Sequence, residues 1–201
     1  MATGVVPETD ELGLENTAIA RTAAGFITVD DRLRTAVPGV YAFGDCIGRY
    51  TYRHTVNHEG EYLMRTAFDG GEPPPLDYGP VPHAVFGSPQ VAGVGPTEQA
   101  LRAAGTPYRI GVARYEDSTP GMARGATHGL VKVLIDPTTR RLLAAHIVGD
   151  EASDMIHLFI VALKCETTLD RLLDTIFIHP ALPEVARDAL RDARDRLSRD
   201  T

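Results

Sequence analysis

Apolar and polar positions repeat with two periods along this chain. Over His54–Phe68 the apolar residues Val56, Leu63, Ala67 and Phe68 recur at helical spacing, and Gly70-Gly71 follows. That pattern predicts a helix stopped by glycine. Ahead of it, Phe26–Val29 and Val40–Phe43 are short apolar runs bounded by Gly25, Asp30-Asp31, Pro38-Gly39 and Gly44-Asp45. They read as strands. Further along, Tyr108–Tyr115, Gly129–Ile135 and Leu142–Val148 read as three more. The last two are joined through Asp136-Pro137-Thr138-Thr139-Arg140, a hairpin connection. Helices are expected over Thr97–Ala104, capped by Thr97 and ended by Gly105, and over Glu151–Cys165. In the latter, Met155, Ile156, Phe159, Ile160 and Leu163 make one apolar face. A final helix opens at Pro183 and repeats Val185, Ala189, Ala193 and Leu197 every fourth position. On its outer side Asp192–Arg196 and Arg191–Asp195 are spaced to pair. The predicted fold class is α+β, an antiparallel sheet packed with helices. An α/β segment precedes it.

The stretch DGGEPPPLDYGPVP, residues 69–82, interrupts this patterning, because three consecutive prolines continue neither a helix nor a central strand. The expected organisation is residues 1–70, a linker over 71–80, and a carboxyl-terminal domain over 81–201. Composition narrows the function classes. The chain has 201 residues, of which 43% are hydrophobic and 23% charged, and a net charge of −7. The acidic balance argues against a nucleic-acid partner. No apolar run approaches the roughly 18–20 residues of a membrane span. The opening MATGVVPETDELG has neither a basic region nor an apolar core, so no signal peptide is predicted. Cys46 and Cys165 form no CxxC or CxxxxC pair. They read as small packed hydrophobes in a reducing cytoplasm. His54 and His58 are four apart with no evident third ligand, so no metal site is expected.

Two stretches carry chemistry. In TAVPGVYAFGD, Thr35–Asp45, an acid follows glycine at the end of an apolar run. A carboxylate there can accept hydrogen bonds from a polyol hydroxyl, although Gly-Asp in that position also describes an ordinary turn. RHTVNHEG then opens a helix, whose first N–H groups and positive dipole end favour an electron-rich ring edge. In FIHPALPE, Phe177–Glu184, His179 precedes a proline and Glu184 lies in the first turn of the next helix. A carboxylate five residues on can accept one imidazole N–H and direct the other nitrogen as a general acid/base. The same residues also read as a satisfied loop histidine and a dipole-favoured glutamate.

Taken together, these stretches resemble the pyridine nucleotide–disulfide oxidoreductase family. TAVPGVYAFGD and RHTVNHEG are similar to the closing part of its FAD-binding domain, as is the opening at Ala2–Gly4, Pro7 and Leu12–Glu15. VPHAVFGSPQVAGVGPTEQAL, GLVKVLID, RLLAAHIVGDEASDMIH and FIHPALPEVARDAL resemble its dimerisation domain, in order. The wording is most similar to mycothione reductases, with dihydrolipoyl dehydrogenases close behind. The resemblance implies that Asp45 bonds the ribityl chain of FAD. It implies that Arg53 and His54 present backbone N–H groups to the flavin pyrimidine. His179 and Glu184 would be a catalytic acid/base dyad serving the redox-active disulfide of the other subunit. The family's GxGxxG turn, CxxxxC pair and nicotinamide domain are not found in this sequence. The expectation is therefore the carboxyl-terminal portion of a longer homodimeric enzyme. That parent would use FAD, NAD(P)H as co-substrate, and a disulfide, dithiol or lipoyl substrate, and this chain alone would bind no cofactor. The alternative is a stand-alone, non-catalytic homodimerisation module.

Overall fold

The computed structural model describes residues 4–68 and 71–199. Two compact units result, one ending at Tyr78 and the other beginning at Gly79.

The first unit is built from turns around one helix, α1 (Arg53–Thr66). The runs expected as strands are not strands. Ile27 and Tyr41 each make a single antiparallel bridge, to Arg21 and Arg34. A ladder needs neighbouring strands on which to extend, and among the described residues of this unit there are none. Val40 and Phe43 accordingly remain partly exposed. A small core forms instead from Leu14, Ile27, Leu33, Ala42, Ile47 and Tyr62. Helix α1 also differs from its expected face: it buries Thr55, Glu59 and Tyr62, while Phe68 is exposed. Gly70, expected to stop the helix, lies outside the described residues. The proline-rich stretch is bonded to this unit along its length. Arg32 Nε donates to the Pro73 carbonyl at 2.7 Å, Tyr62 Oη to Pro74 at 2.8 Å and the Leu76 amide to Asp31 at 2.9 Å.

The second unit is a five-stranded antiparallel sheet with helices. Its strands are β1 (Pro82–Val85), β2 (Gln90–Val94), β3 (Arg109–Arg114), β4 (Leu130–Ile135) and β5 (Leu142–Gly149), in the order β1-β2-β5-β4-β3. The three longer strands coincide with the apolar runs. Strands β1 and β2 are short and of mixed polarity, and periodicity passes over them. Helices α2 (Glu98–Ala103), α4 (Ala152–Lys164) and α6 (Pro183–Arg199) form where the pattern predicts. The single turns α3 (Thr119–Ala123) and α5 (Leu169–Leu173) are too short to show a period. Thr97 caps α2, its hydroxyl accepting from the Ala100 amide at 3.1 Å. In the β4–β5 hairpin the Asp136 carboxylate accepts from the Thr138 and Thr139 amides, both at 2.8 Å.

Strand residues alternate between two faces. One face carries Ala92, Val94, Val131, Val133, Ala145 and Ile147. They pack against Met155, Ile156 and Phe159 of α4 and Val185, Ala189, Leu190, Ala193 and Leu197 of α6. On the other face Leu101 of α2 covers Leu134 and Ala144. At the sheet edge the Asp192 carboxylate of α6 accepts from the Val112 amide of β3 at 2.8 Å, occupying a group an edge strand would leave open. Asp192 also binds Arg196 at 2.9 Å as its spacing predicts, whereas Arg191 turns to Asp188 at 3.1 Å rather than to Asp195. The cysteines are not both packed. Cys46 is half-buried, but Cys165 is exposed just past the end of α4.

Gly111 on β3 sets how closely α6 approaches. A Cβ there would lie 2.1 Å from the Ala189 carbonyl oxygen and 2.6 Å from the Ala193 Cβ. Gly111→Ala should therefore force α6 away from the sheet and destabilise the chain by about 1–3 kcal/mol, the usual range for overpacking. Urea unfolding checks it; an unchanged midpoint and slope would contradict the packing described.

Candidate functional site

The 177–184 loop leads into α6, and the burial of α6 fixes its geometry. Leu182, Val185 and Ala186 are all but inaccessible, which anchors the loop end and the first helical turn. Glu184 sits in that turn, where the helix dipole favours a carboxylate. Its side chain is only 6% exposed, against 63% for His179. The two carboxylate oxygens lie 3.1 and 3.0 Å from His179 Nδ1. Oε2 also accepts from the Ala181 amide at 3.2 Å, and Oε1 from an Arg187 Nη at 2.7 Å. Arg187 itself lies over the Phe177 ring, 5.7 Å from its centroid.

The electrostatics follow from these partners. Burial pushes the Glu184 carboxyl up, but the Ala181 amide, the His179 imidazole and the Arg187 charge outweigh it and hold the carboxyl below its ordinary value. An ionised carboxylate can only accept, so Nδ1 of His179 carries the proton of this hydrogen bond. His179 Nε2 has no partner among the described residues and faces outward from an exposed ring.

The first unit holds the other candidate residues. Asp45 lies in a 3₁₀ turn, Gly44–Ile47, not at the end of a regular strand. Its side chain is exposed and makes no hydrogen bond among the described residues. It borders a hollow of about 370 Å³ together with residues 5–8, Phe26 and Cys46. What fixes this turn is Glu59 of α1, fully buried, accepting from the Gly44 amide at 2.5 Å and from Tyr78 Oη at 2.5 Å. Burial and that bond push the Tyr78 phenol up to about 12. Sequence reading missed Glu59, because a glutamate in a helix is presumed to face solvent; its only signal was its place among apolar neighbours. Arg53 and His54 open α1, where Tyr52 provides no side-chain cap. The Tyr52 and His54 rings stack with centroids 5.2 Å apart. An open carboxylate beside a hollow, and an uncapped helix start, suit a ligand bearing hydroxyls and electron-rich ring atoms. Among the described residues no group of three or more His, Cys, Asp or Glu side chains is placed to hold a metal ion. No helix there is long and apolar enough to cross a membrane.

Similarity to known proteins agrees with both halves. Residues 81–190 match the pyridine nucleotide-disulphide oxidoreductase dimerisation domain, and residues 1–66 match the pyridine nucleotide-disulphide oxidoreductase family. The chain belongs to this family. A dihydrolipoyl dehydrogenase of Rhizobium etli is 36% identical over 196 residues, covering 98% of this chain and 40% of that protein. A soluble pyridine nucleotide transhydrogenase of Mycobacterium bovis is 33% identical over 190 residues, covering 94% and 40%. The crystal structure of LpdA from Mycobacterium tuberculosis superposes with a TM-score of 0.86 at 28% identity, covering 95% of this chain and 41% of the other. The HOCl-induced flavoprotein disulfide reductase RclA from Escherichia coli gives 0.86 at 26% identity, covering 96% and 44%. The chain thus spans about 40% of the length of the curated relatives it matches. It resembles part of a FAD-dependent disulfide oxidoreductase.

The depressed Glu184 carboxyl makes a signed prediction. A lowered value means that the ionised carboxylate stabilises the fold above the ordinary value of 4.5 and that this is lost as pH falls through the depressed one. Glu184→Gln should be less stable than the parent at neutral pH, and the gap should shrink as pH drops below that value. Denaturant unfolding of both proteins at several pH values measures it. A gap independent of pH would mean that Glu184 is not held ionised.

Proposed function

We propose that this chain is the carboxyl-terminal portion of a FAD-dependent NAD(P)H:disulfide oxidoreductase, supplying the dimer interface and an acid/base pair, His179 and Glu184, for thiol–disulfide exchange. The observation that carries the proposal is the held imidazole: Nδ1 within 3.1 Å of both oxygens of a buried carboxylate, Nε2 open. Glu184 fixes the tautomer and the orientation of the ring. His179 Nε2 then gives a proton to a thiolate leaving group during disulfide reduction, and takes one from a dithiol in reverse. The substrate is a small disulfide or a lipoyl group, with mycothione-type disulfides among the candidates.

In the same reading Asp45 holds the ribityl hydroxyls of FAD, and the backbone N–H groups of Arg53 and His54 face its pyrimidine edge. When bound, the flavin supplies electron transfer between NAD(P)H and the disulfide. The part played by this chain is to hold the flavin's polar edge and to move the proton at His179. The homodimer is supported by Ile176 and Ile178, which precede the histidine in sequence and are 97% and 80% exposed. Two such side chains beside an acid/base group suit an interface that a second subunit covers.

With the remaining portion that the relatives possess joined to this chain, His179→Ala should lower turnover of disulfide by about 10²–10⁴-fold, the usual worth of general acid/base help. Flavin content should stay unchanged, since Asp45, Arg53 and His54, the residues proposed to hold the flavin, are left in place. Near-normal turnover would sink the assignment. Sedimentation of the 201-residue chain should give a dimer mass at micromolar concentration, and Ile178→Asp should shift it to monomer. A monomer in both cases would remove the interface from the proposal while leaving the acid/base pair to be judged by turnover alone.

A further inference from the structure

On the α2 side of the sheet one cross-strand row carries side chains that the proposed function does not use. The register sets His83 of β1 opposite Gly93 of β2, and Gly93 opposite His146 of β5. The two histidines are thus two strands apart, about 10 Å at the backbone, with no side chain between them. The vacancy is small and well defined. A Cβ built on Gly93 would lie 2.8 Å from His83 Nε2 and 2.8 Å from His146 Nδ1. One nitrogen of each imidazole therefore borders the same point.

The protonation of one ring is set by its other nitrogen. His146 Nε2 lies 3.3 Å from the Pro96 carbonyl, which can only accept. Nε2 therefore carries the hydrogen, and Nδ1 turns a lone pair to the notch over Gly93. This is the arrangement in which a metal-binding histidine is oriented by a backbone carbonyl behind it. His83 makes no hydrogen bond among the described residues and is half-buried, so its ring is free to present Nε2. The next residue along the row, Lys132 of β4, stands opposite His146. Its ammonium is bound at 2.5 Å by Glu98 of α2, which offsets its charge toward an approaching cation.

We propose that His83 and His146, converging over the side-chain-free Gly93, form a two-imidazole site for a divalent transition metal of the zinc or copper class. Imidazole nitrogens suit these ions, with bonds of about 2.0–2.1 Å. The ion would sit outward of that point, clear of the Gly93 backbone and between the two nitrogens, and rotation of the two side chains would bring each nitrogen to bonding distance. Water completes the coordination on the solvent side. The site is separate in chemistry from the His179–Glu184 pair: here both ligands are neutral nitrogens, and the carboxylate nearby is engaged by Lys132.

The test uses the whole 201-residue chain, titrated separately with Zn²⁺ by calorimetry and with Cu²⁺ by electron paramagnetic resonance. One ion per chain should bind, and the copper spectrum should show coupling to two nitrogens. His83→Ala and His146→Ala should each weaken binding by about tenfold or more and remove the two-nitrogen coupling. His128→Ala, an exposed loop histidine, should change neither. Gly93→Ala keeps both histidines but fills the notch, and should also abolish the site. If Gly93→Ala does not fold, the half-buried His83→Ala decides the matter. Binding of the same strength and coupling in His83→Ala, or no binding of either ion by the parent chain, would overturn the proposal.

Discussion

Helix α6 reaches strand β3 only because residue 111 carries no side chain, and much of the second unit depends on that approach. With Gly111 in place, Ala189 and Ala193 sit directly on the strand, and the alanines of α6 are all fully buried. Small side chains contribute little area each, so close packing over the whole helix must supply the binding. Such packing leaves the helix no freedom to slide or rotate. Its first turn is then fixed to the sheet, and Glu184 with it. A carboxylate held that way can define the position of a loop histidine five residues earlier, which is an otherwise mobile place to keep a chemical group.

The first unit solves a similar problem by a different device. Its described residues form no sheet, so its turns are tied by individual hydrogen bonds. Glu59 is the clearest case: a fully buried carboxylate whose two oxygens are used by the Gly44 amide and the Tyr78 phenol. Removing one partner would leave a buried acceptor unmet, which costs more than the bond itself is worth. The exposed Asp45 is thus placed by a residue that faces wholly inward. The acidic side chain that could meet a ligand and the one that builds the turn are distinct.

How far the sequence could be read follows from the range of each interaction. Strands β3, β4 and β5 and helices α4 and α6 were legible, since their apolar periods record burial on one face. So was the His179–Glu184 pair, because a proline, a helix start and a five-residue separation are all local. Phe26–Val29 and Val40–Phe43 have the apolar content of strands but lack partners, and apolar content alone cannot supply a ladder. Strands β1 and β2 are the converse: weak in pattern, yet held by pairing, β1 with β2 and β2 with β5. Glu59 and the His83–Gly93–His146 row were invisible for one reason. Each is a meeting of distant residues created by packing or register, and neither changes the local pattern.

His179 and Glu184 bear different loads. Glu184 is inside, bonded to a backbone amide, an imidazole and a guanidinium, so its charge belongs to the fold as well as to the site. His179 is outside and is held by one group only. A change at Glu184 therefore alters stability and the shape of the loop together. A change at His179 removes an exposed side chain held by one contact group and little else. The asymmetry also explains why the ring can stand exposed without being disordered: the order is stored in the buried carboxylate and passed to the surface through a single pair of short contacts.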